Sequence, residues 1–346
     1  MRWLKLLVSL IATLSVCASI QAAWTNPGFA SERVVLPIYQ DVVHGHGGDG
    51  FRYWLWLTIG NEKPMKVLLD TGSSGLFVLA SGLTDPDTLP VAGRVTASYD
   101  YGDVLLGRKS KSIIAFGKVK SLRPVRFGLV TSTDCAAAKP DCIASRTNFE
   151  DYRIVSEGIA GQGYSAIAGV SLGVDLGADP LPNPFTGVAQ SWVIELPTPG
   201  QWTAGKLILN PDERDLVGYQ TFEVVSDAHN WQGAIRSGIP GCVAEGDSGE
   251  SVCGGISFDS GANSILVDTR DDDLFQTLQN AGSYAFEFGD GENKPVWRAQ
   301  IPPNAFVQTD LGQGRAPLKI TLGYHVMWNF RIFYDYAGDT VGLKQR

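Results

Sequence analysis

The sequence has little charge, no long helical periodicity and only one extended hydrophobic run. Charged residues make up 18% of the 346 positions, and 40 Gly and 18 Pro break the apolar runs throughout. That punctuation excludes long amphipathic helices and leaves a turn-rich, all-β chain as the expectation. Positive charge is also short: 28 Lys and Arg stand against 36 Asp and Glu, a formal net charge of −8. The acidic balance argues against nucleic acid and against anionic membrane surfaces as partners. Beyond the N-terminus, no segment approaches the roughly 18 apolar residues that a membrane span requires. Histidine is scarce, with four scattered residues. The pair His44 and His46 sits in a glycine-rich stretch, His44 to Gly50, that reads as a solvated connector. The expectation is no metal and no cofactor.

The one hydrophobic run is Leu6 to Ile20, preceded by Arg2 and Lys5 and followed by the small residues of Gln21-Ala22-Ala23. It reads as a signal peptide over residues 1–23, which implies an exported protein, periplasmic or secreted. Cysteine usage fits an oxidising compartment. Cys17 lies in the signal, and the other four fall into close pairs, Cys135 with Cys142 and Cys242 with Cys253. Four cysteines allow three connectivities, of which the local one closes most easily, so two disulfides are expected.

Apolar residues are 44% of the chain, enough for sizeable cores, and the length suits two domains. A division at 24–194 and 195–346 places one copy of a repeated pattern in each. The first copy is Val67-Leu68-Leu69-Asp70-Thr71-Gly72-Ser73-Ser74-Gly75-Leu76-Phe77-Val78 and the second is Ile256-Ser257-Phe258-Asp259-Ser260-Gly261-Ala262-Asn263-Ser264-Ile265-Leu266-Val267. Each runs from an apolar strand to Asp, a small hydroxyl residue, Gly, a short polar stretch and another apolar strand. An ionised Asp at the end of an apolar strand is costly to bury. Two of them, one per half, point to carboxylates that meet and share one proton. Elsewhere Phe51 to Ile59 alternates as a strand, Val95 to Leu106 carries Tyr99-Asp100-Tyr101-Gly102-Asp103 at a hairpin tip, and Asp271 to Asn280 reads as a short helix.

These motifs resemble the pepsin family of two-lobed aspartic peptidases. Asp70-Thr71-Gly72-Ser73-Ser74 matches that family's first active-site motif without substitution. Phe127-Gly128-Leu129 is similar to the strand after its flap, and Gly158-Ile159-Ala160-Gly161 to the element that crosses behind the first Asp. Leu322-Gly323, Phe330-Arg331-Ile332-Phe333-Tyr334-Asp335 and Val341-Gly342-Leu343 are similar to its C-terminal signature. The resemblance spans residues 51–346 and implies an all-β, bilobal fold of two β-barrel-like lobes with the cleft between them. It implies an endopeptidase acting on polypeptides, probed on either side of the cut by apolar subsites, with Asp70 and Asp259 as the catalytic pair. Thr71 and Ser260 would bond across the lobes, Gly72 and Gly261 would allow close turns, and Ser73 would bond the outer oxygen of Asp70. A hairpin flap would present a Tyr, with Tyr101 preferred and Tyr99 in reserve. The chain is expected to be monomeric. Only about 27 residues, with the single basic residue Arg33, lie between the signal and Phe51. That is short for the family's usual prosegment and fits a bacterial-type member made without a zymogen stage, as does the lack of any Asn-x-Ser/Thr sequon.

Three positions depart from the family pattern. Ala262 stands where a hydroxyl is usual, so a donor to Asp259 is lost and the proton shared by the pair is expected on Asp259. Phe77 stands where Trp is usual, leaving no indole N–H to hold the flap Tyr. Tyr324 replaces an Asp. These changes keep open a second reading, a pepsin-like protein that binds a peptide or protein without cutting it. Asp268-Thr269-Arg270 rivals Asp259, but Arg270 breaks the required Gly. Gly246-Asp247-Ser248-Gly249 looks like a serine-peptidase nucleophile, yet it lies between Cys242 and Cys253 with no suitable His upstream, and reads as a disulfide-closed loop.

Overall fold

A computed structural model describes residues 32–44, 50–84, 87–99, 101–175, 180–198, 200, 203–226, 234–235, 237–245, 251–268, 276, 284–289, 296–299, 306–308 and 319–346. The signal segment, residues 45–49 of the connector, the 246–249 loop and all but Gln276 of the expected 271–280 helix lie outside the described residues.

The repeat in the sequence is a repeat in topology. Met65–Asp70 runs parallel to Ala166–Val170, with Asp70 opposite Gly169. After the turn at Asp70 the chain returns as Ser74–Leu79 on the other side of Ala166–Val170, antiparallel to it. In the second half, Ser251–Asp259 runs parallel to Lys319–Gly323, with Asp259 opposite Gly323. The return strand Ile265–Asp268 then lies antiparallel on the far side of Lys319–Gly323. In both copies a middle strand, from much later in the chain, separates the strand that ends in Asp from the strand that follows it. A parallel strand buried on both faces reads as continuous apolar sequence, which is how Ala166-Ile167-Ala168-Gly169-Val170 reads.

This corrects the expectation for Gly158–Gly161. That segment forms turns, closed by Ile159 N–H to Ser156 C=O and Gln162 N–H to Ile159 C=O, and Ile159 is 45% exposed. The element behind Asp70 is the second apolar-apolar-Gly run, Ile167-Ala168-Gly169.

The strand Gly50–Ile59 points Tyr53, Leu55, Leu57 and Ile59 into the core, as its alternation predicts. A 15-stranded sheet joins the halves: Ser191–Glu195 is flanked by Phe330–Asp335 on one side and Gly205–Leu209 on the other, and the latter pairs with Val34–Val43. Trp192, Ile194, Leu207, Leu209, Ile332 and Leu343 are buried there. Cys135–Cys142 and Cys242–Cys253 are disulfides. The second joins directly opposed residues of Ser237–Glu245 and Ser251–Asp259. Among the described residues, no helix is long and apolar enough to cross a membrane.

Candidate active site

The two Asp turns face each other between the lobes. Asp70 is only 6% exposed. Its Oδ1 accepts the Gly72 N–H at 2.9 Å, and its Oδ2 accepts the Ser73 hydroxyl. In the second turn Asp259 Oδ1 accepts the Gly261 N–H at 2.7 Å. The carboxylates converge on one point. A Cβ on Gly261 would lie 3.1 Å from Asp259 Oδ1 and 3.3 Å from Asp70 Oδ1. A Cβ on Gly72 would lie 2.3 Å from the Asp259 carboxyl carbon, nearer than any real Cβ contact. Glycine at these positions makes room for the opposing carboxylate.

A reciprocal set of hydrogen bonds binds the turns together. Thr71 N–H donates to Ser260 Oγ at 3.1 Å and Ser260 N–H to Thr71 Oγ1 at 2.9 Å. Each hydroxyl then donates onward to the strand before the opposite Asp, Thr71 to Phe258 C=O at 2.8 Å and Ser260 to Leu69 C=O at 2.7 Å. Both residues are buried, so every one of these bonds is shielded from water and its loss would strand a polar group. The short hydroxyl side chain after each Asp is what makes this exchange possible.

Asp268 sits elsewhere. It is paired with Lys319, while Gly323, four residues along the same strand, faces Asp259. Four strand residues span about 13 Å. Tyr324 N–H donates to Ala262 C=O at 3.0 Å and its buried ring packs edge-on against Phe51 and Tyr53. It supports the second turn from behind.

A hairpin, Leu89–Ser98 with Asp103–Ser112, carries the two candidate flap tyrosines near its tip. They stack at 5.5 Å beside the turn that Gly102 N–H closes onto Tyr99 C=O. Burial and then the charge of Asp70 push the Tyr99 hydroxyl well above its ordinary pKa. For Tyr101, burial comes first and Asp70 last, after Tyr152, Tyr99 and Asp103. Tyr101 also leaves 37% of its surface exposed. Tyr99 is the more inward of the two, packed on the aromatic cluster that includes Phe77, and Tyr101 stacks on it with more of its own surface exposed. Phe77 is buried with Trp54, Tyr152 and Tyr164, next to Tyr99.

Below the dyad, the Tyr334 hydroxyl is buried, 4% of the residue being exposed, with no hydrogen-bond partner among the described residues. It borders a small cavity lined also by Thr71, Gly72, Ser257 and Phe258. Thr71 Oγ1 is nearby and, donating to Phe258 C=O and accepting the Ser260 N–H, keeps one lone pair. Burial raises the Tyr334 pKa, the neighbouring Thr71 hydroxyl works against this, and the Asp259 charge adds to it more weakly. Nothing local in the sequence marks this residue out. Asp103, Cys135 and Cys142 form the one cluster of potential metal ligands among the described residues. Both sulfurs are tied up in the disulfide, which leaves one carboxylate and no ligand set.

No protein-family model matches this chain, and no curated protein matches it by sequence. Among solved structures it is similar to the aspartic proteinase from Irpex lacteus, with a TM-score of 0.61 and 12% identity over 91% of this chain and 97% of that one. At that identity the likeness establishes the fold, which is mostly β, two-lobed and pepsin-like, with the cleft between the lobes.

Proposed function

We propose that this protein is an aspartic endopeptidase in which Asp70 and Asp259 share one proton and activate a water against a peptide carbonyl. The observation that carries the reading is the convergence of both carboxylates within 3.3 Å of the Cβ position of Gly261. For carboxylates that meet across a site, sharing one proton avoids the cost of ionising both. The ionised member takes a proton from the water as its oxygen attacks the carbonyl carbon. The protonated member gives its proton to the carbonyl oxygen. The tetrahedral intermediate then loses its C–N bond as the leaving amine takes a proton from one carboxyl and a hydroxyl of the intermediate returns a proton to the other, which restores the shared proton. No covalent intermediate forms.

Asp259 is the proposed holder of the shared proton before attack, since Ala262 brings it no side-chain hydroxyl while Ser73 brings one to Asp70. Tyr99, rather than Tyr101, is the proposed flap residue over the substrate. Substrates are unfolded or extended polypeptides, with apolar residues favoured around the cut. The two disulfides suit an exported enzyme, periplasmic or secreted.

The test is cleavage of a denatured protein by the purified chain between about pH 3 and 7, with and without a pepstatin-type inhibitor, alongside Asp70→Asn. Cleavage that the inhibitor blocks and the substitution abolishes is expected. Equal cleavage by wild type and Asp70→Asn overturns the proposal. Tight inhibitor binding without any cleavage identifies instead a pepsin-like binding protein.

A further inference from the structure

The hairpin that carries Tyr99 is not a free flap. Its second arm, Asp103–Ser112, pairs along its whole length with Val125–Cys135, from Ser112 opposite Val125 to Asp103 opposite Cys135. The tip is closed by Gly102 N–H to Tyr99 C=O at 2.8 Å, and Gly102 C=O in turn accepts the Ala136 N–H at 2.8 Å. The chain after Cys135 is then folded back by the Cys135–Cys142 disulfide and passes directly beneath the tip. It lies so close that a Cβ on Gly102, whose φ is +106°, would stand 2.8 Å from Lys139 Cβ and 3.2 Å from Cys142 Cβ.

One carboxylate fastens this layer to the hairpin. Asp103 is the first residue after the tip and is 1% exposed. Its Oδ1 accepts the Ala144 N–H at 3.1 Å, from the turn Ile143–Ser145 that follows the disulfide. Its Oδ2 accepts the Tyr152 hydroxyl at 2.7 Å. Tyr152 is fully buried in the same aromatic cluster as Phe77, Trp54 and Tyr164, against which Tyr99 packs. Trp54 and Tyr164 of this cluster bond Asp41, while Phe77 has no hydrogen-bond donor, so the phenol of Tyr152 is the cluster's polar link to the hairpin tip. A buried carboxylate is an expensive way merely to fill space, since an apolar side chain would pack the same volume without desolvating a charge. What the carboxylate adds is two directional bonds from two separate segments to the residue at the foot of the tip.

We propose that Asp103 and Tyr152 are positioning residues that hold the flap tip, and with it Tyr99, over the Asp70 side of the cleft in the absence of substrate. This rests on the peptidase reading for its catalytic consequence and on geometry alone for the anchoring. A pre-placed flap does not have to be ordered at the moment of binding, so the anchor acts mainly on substrate affinity.

The experiment compares wild type, Tyr152→Phe, Asp103→Ala and Asp103→Asn by two readouts. Asparagine retains an acceptor for Ala144 N–H and a donor for the Tyr152 oxygen, so it can rebuild both links. The first readout is hydrogen exchange at the Ala136 amide, which reports the Gly102–Ala136 bond without any need for catalysis. Protection there is expected to fall about tenfold or more in Tyr152→Phe and Asp103→Ala and to be kept by Asp103→Asn, with the amides of Ala166–Val170 unchanged in all. The second is steady-state peptide cleavage. KM is expected to rise about tenfold to a hundredfold in the first two variants with a smaller change in kcat, and to be restored in Asp103→Asn.

Unchanged Ala136 exchange in both Tyr152→Phe and Asp103→Ala overturns the anchor. A uniform loss of protection that includes Ala166–Val170 also overturns it, as a general structural role. If exchange responds as expected but the wild type cleaves nothing, the anchor stands and the peptidase reading fails. If the wild type cleaves and exchange responds while KM stays at the wild-type value, the proposed role in substrate binding is wrong.

Discussion

Replacing Gly72 by alanine places a methyl group 2.3 Å from the Asp259 carboxyl carbon and 2.4 and 2.6 Å from its oxygens. Ordinary non-bonded carbon contacts begin near 3.5 Å, so one group must move by about 1 Å. The carboxyl cannot swing aside without giving up the 2.7 Å bond from Gly261 N–H to its Oδ1. The Thr71–Ser260 exchange meanwhile pins both turns. Neither Gly72 nor Gly261 adopts a positive φ, so the penalty is one of space and not of backbone strain. At Gly261 the same substitution needs only a few tenths of an ångström, because its methyl would lie 3.1 and 3.3 Å from the two carboxylates. Displacing a reacting group by about 1 Å costs on the order of a hundredfold in rate. Gly72→Ala is therefore expected to lower kcat/KM about a hundredfold or more, and Gly261→Ala by less than about tenfold. Initial rates on a quenched fluorogenic peptide measure both, and urea unfolding of each variant separates dyad displacement from loss of fold. Equal activity in the two variants, both folded, would refute the geometry described for the dyad.

Thr71→Val keeps the shape but strands the Ser260 N–H and the Phe258 C=O. At about 1–3 kcal/mol for each buried unpaired group, it should destabilise the fold by about 2–6 kcal/mol in urea titration, and a loss under about 1 kcal/mol would contradict the account. Ala262→Ser restores a hydroxyl at the offset from Asp259 that Ser73 has from Asp70. A donor favours the ionised carboxylate, so the dyad should give up its shared proton at lower pH and the upper limb of the pH–rate profile should move down. An unmoved limb would count against the asymmetric dyad. Tyr334→Phe removes a buried hydroxyl with no partner among the described residues, and should leave stability unchanged or raise it by up to about 1 kcal/mol. A clear loss of stability would show that the hydroxyl is bonded.

Much of this architecture is legible in the sequence because the same short pattern occurs twice. Asp, a small hydroxyl residue and Gly between apolar strands dictate a tight turn in each half, and the hydroxyls of Thr71 and Ser260 reach the opposite lobe through bonds that span 187 to 191 residues. The strand behind the first turn is harder to read. Ile159-Ala160-Gly161 and Ile167-Ala168-Gly169 are alike as triplets. Only their surroundings separate them, since Gly158, Gly161 and Gly163 all take positive φ and break the first into turns, while the second belongs to an unbroken buried run. The choice between Tyr99 and Tyr101 depends on which of two residues at one hairpin tip points inward, and pattern alone leaves that open. The Asp103–Tyr152 link joins residues 49 apart with no local motif at either end. The Tyr334 hydroxyl comes to lie beside Thr71 only once both lobes meet beneath the dyad.

The central claim is that the carboxylates of Asp70 and Asp259, one from each lobe, form the working pair. Its most direct test is kcat/KM for Asp259→Asn beside Asp268→Asn under identical conditions. Loss of at least about a thousandfold in Asp259→Asn, with Asp268→Asn near wild type, is the expected result. Retained cleavage in Asp259→Asn, or its loss in Asp268→Asn instead, would contradict the account.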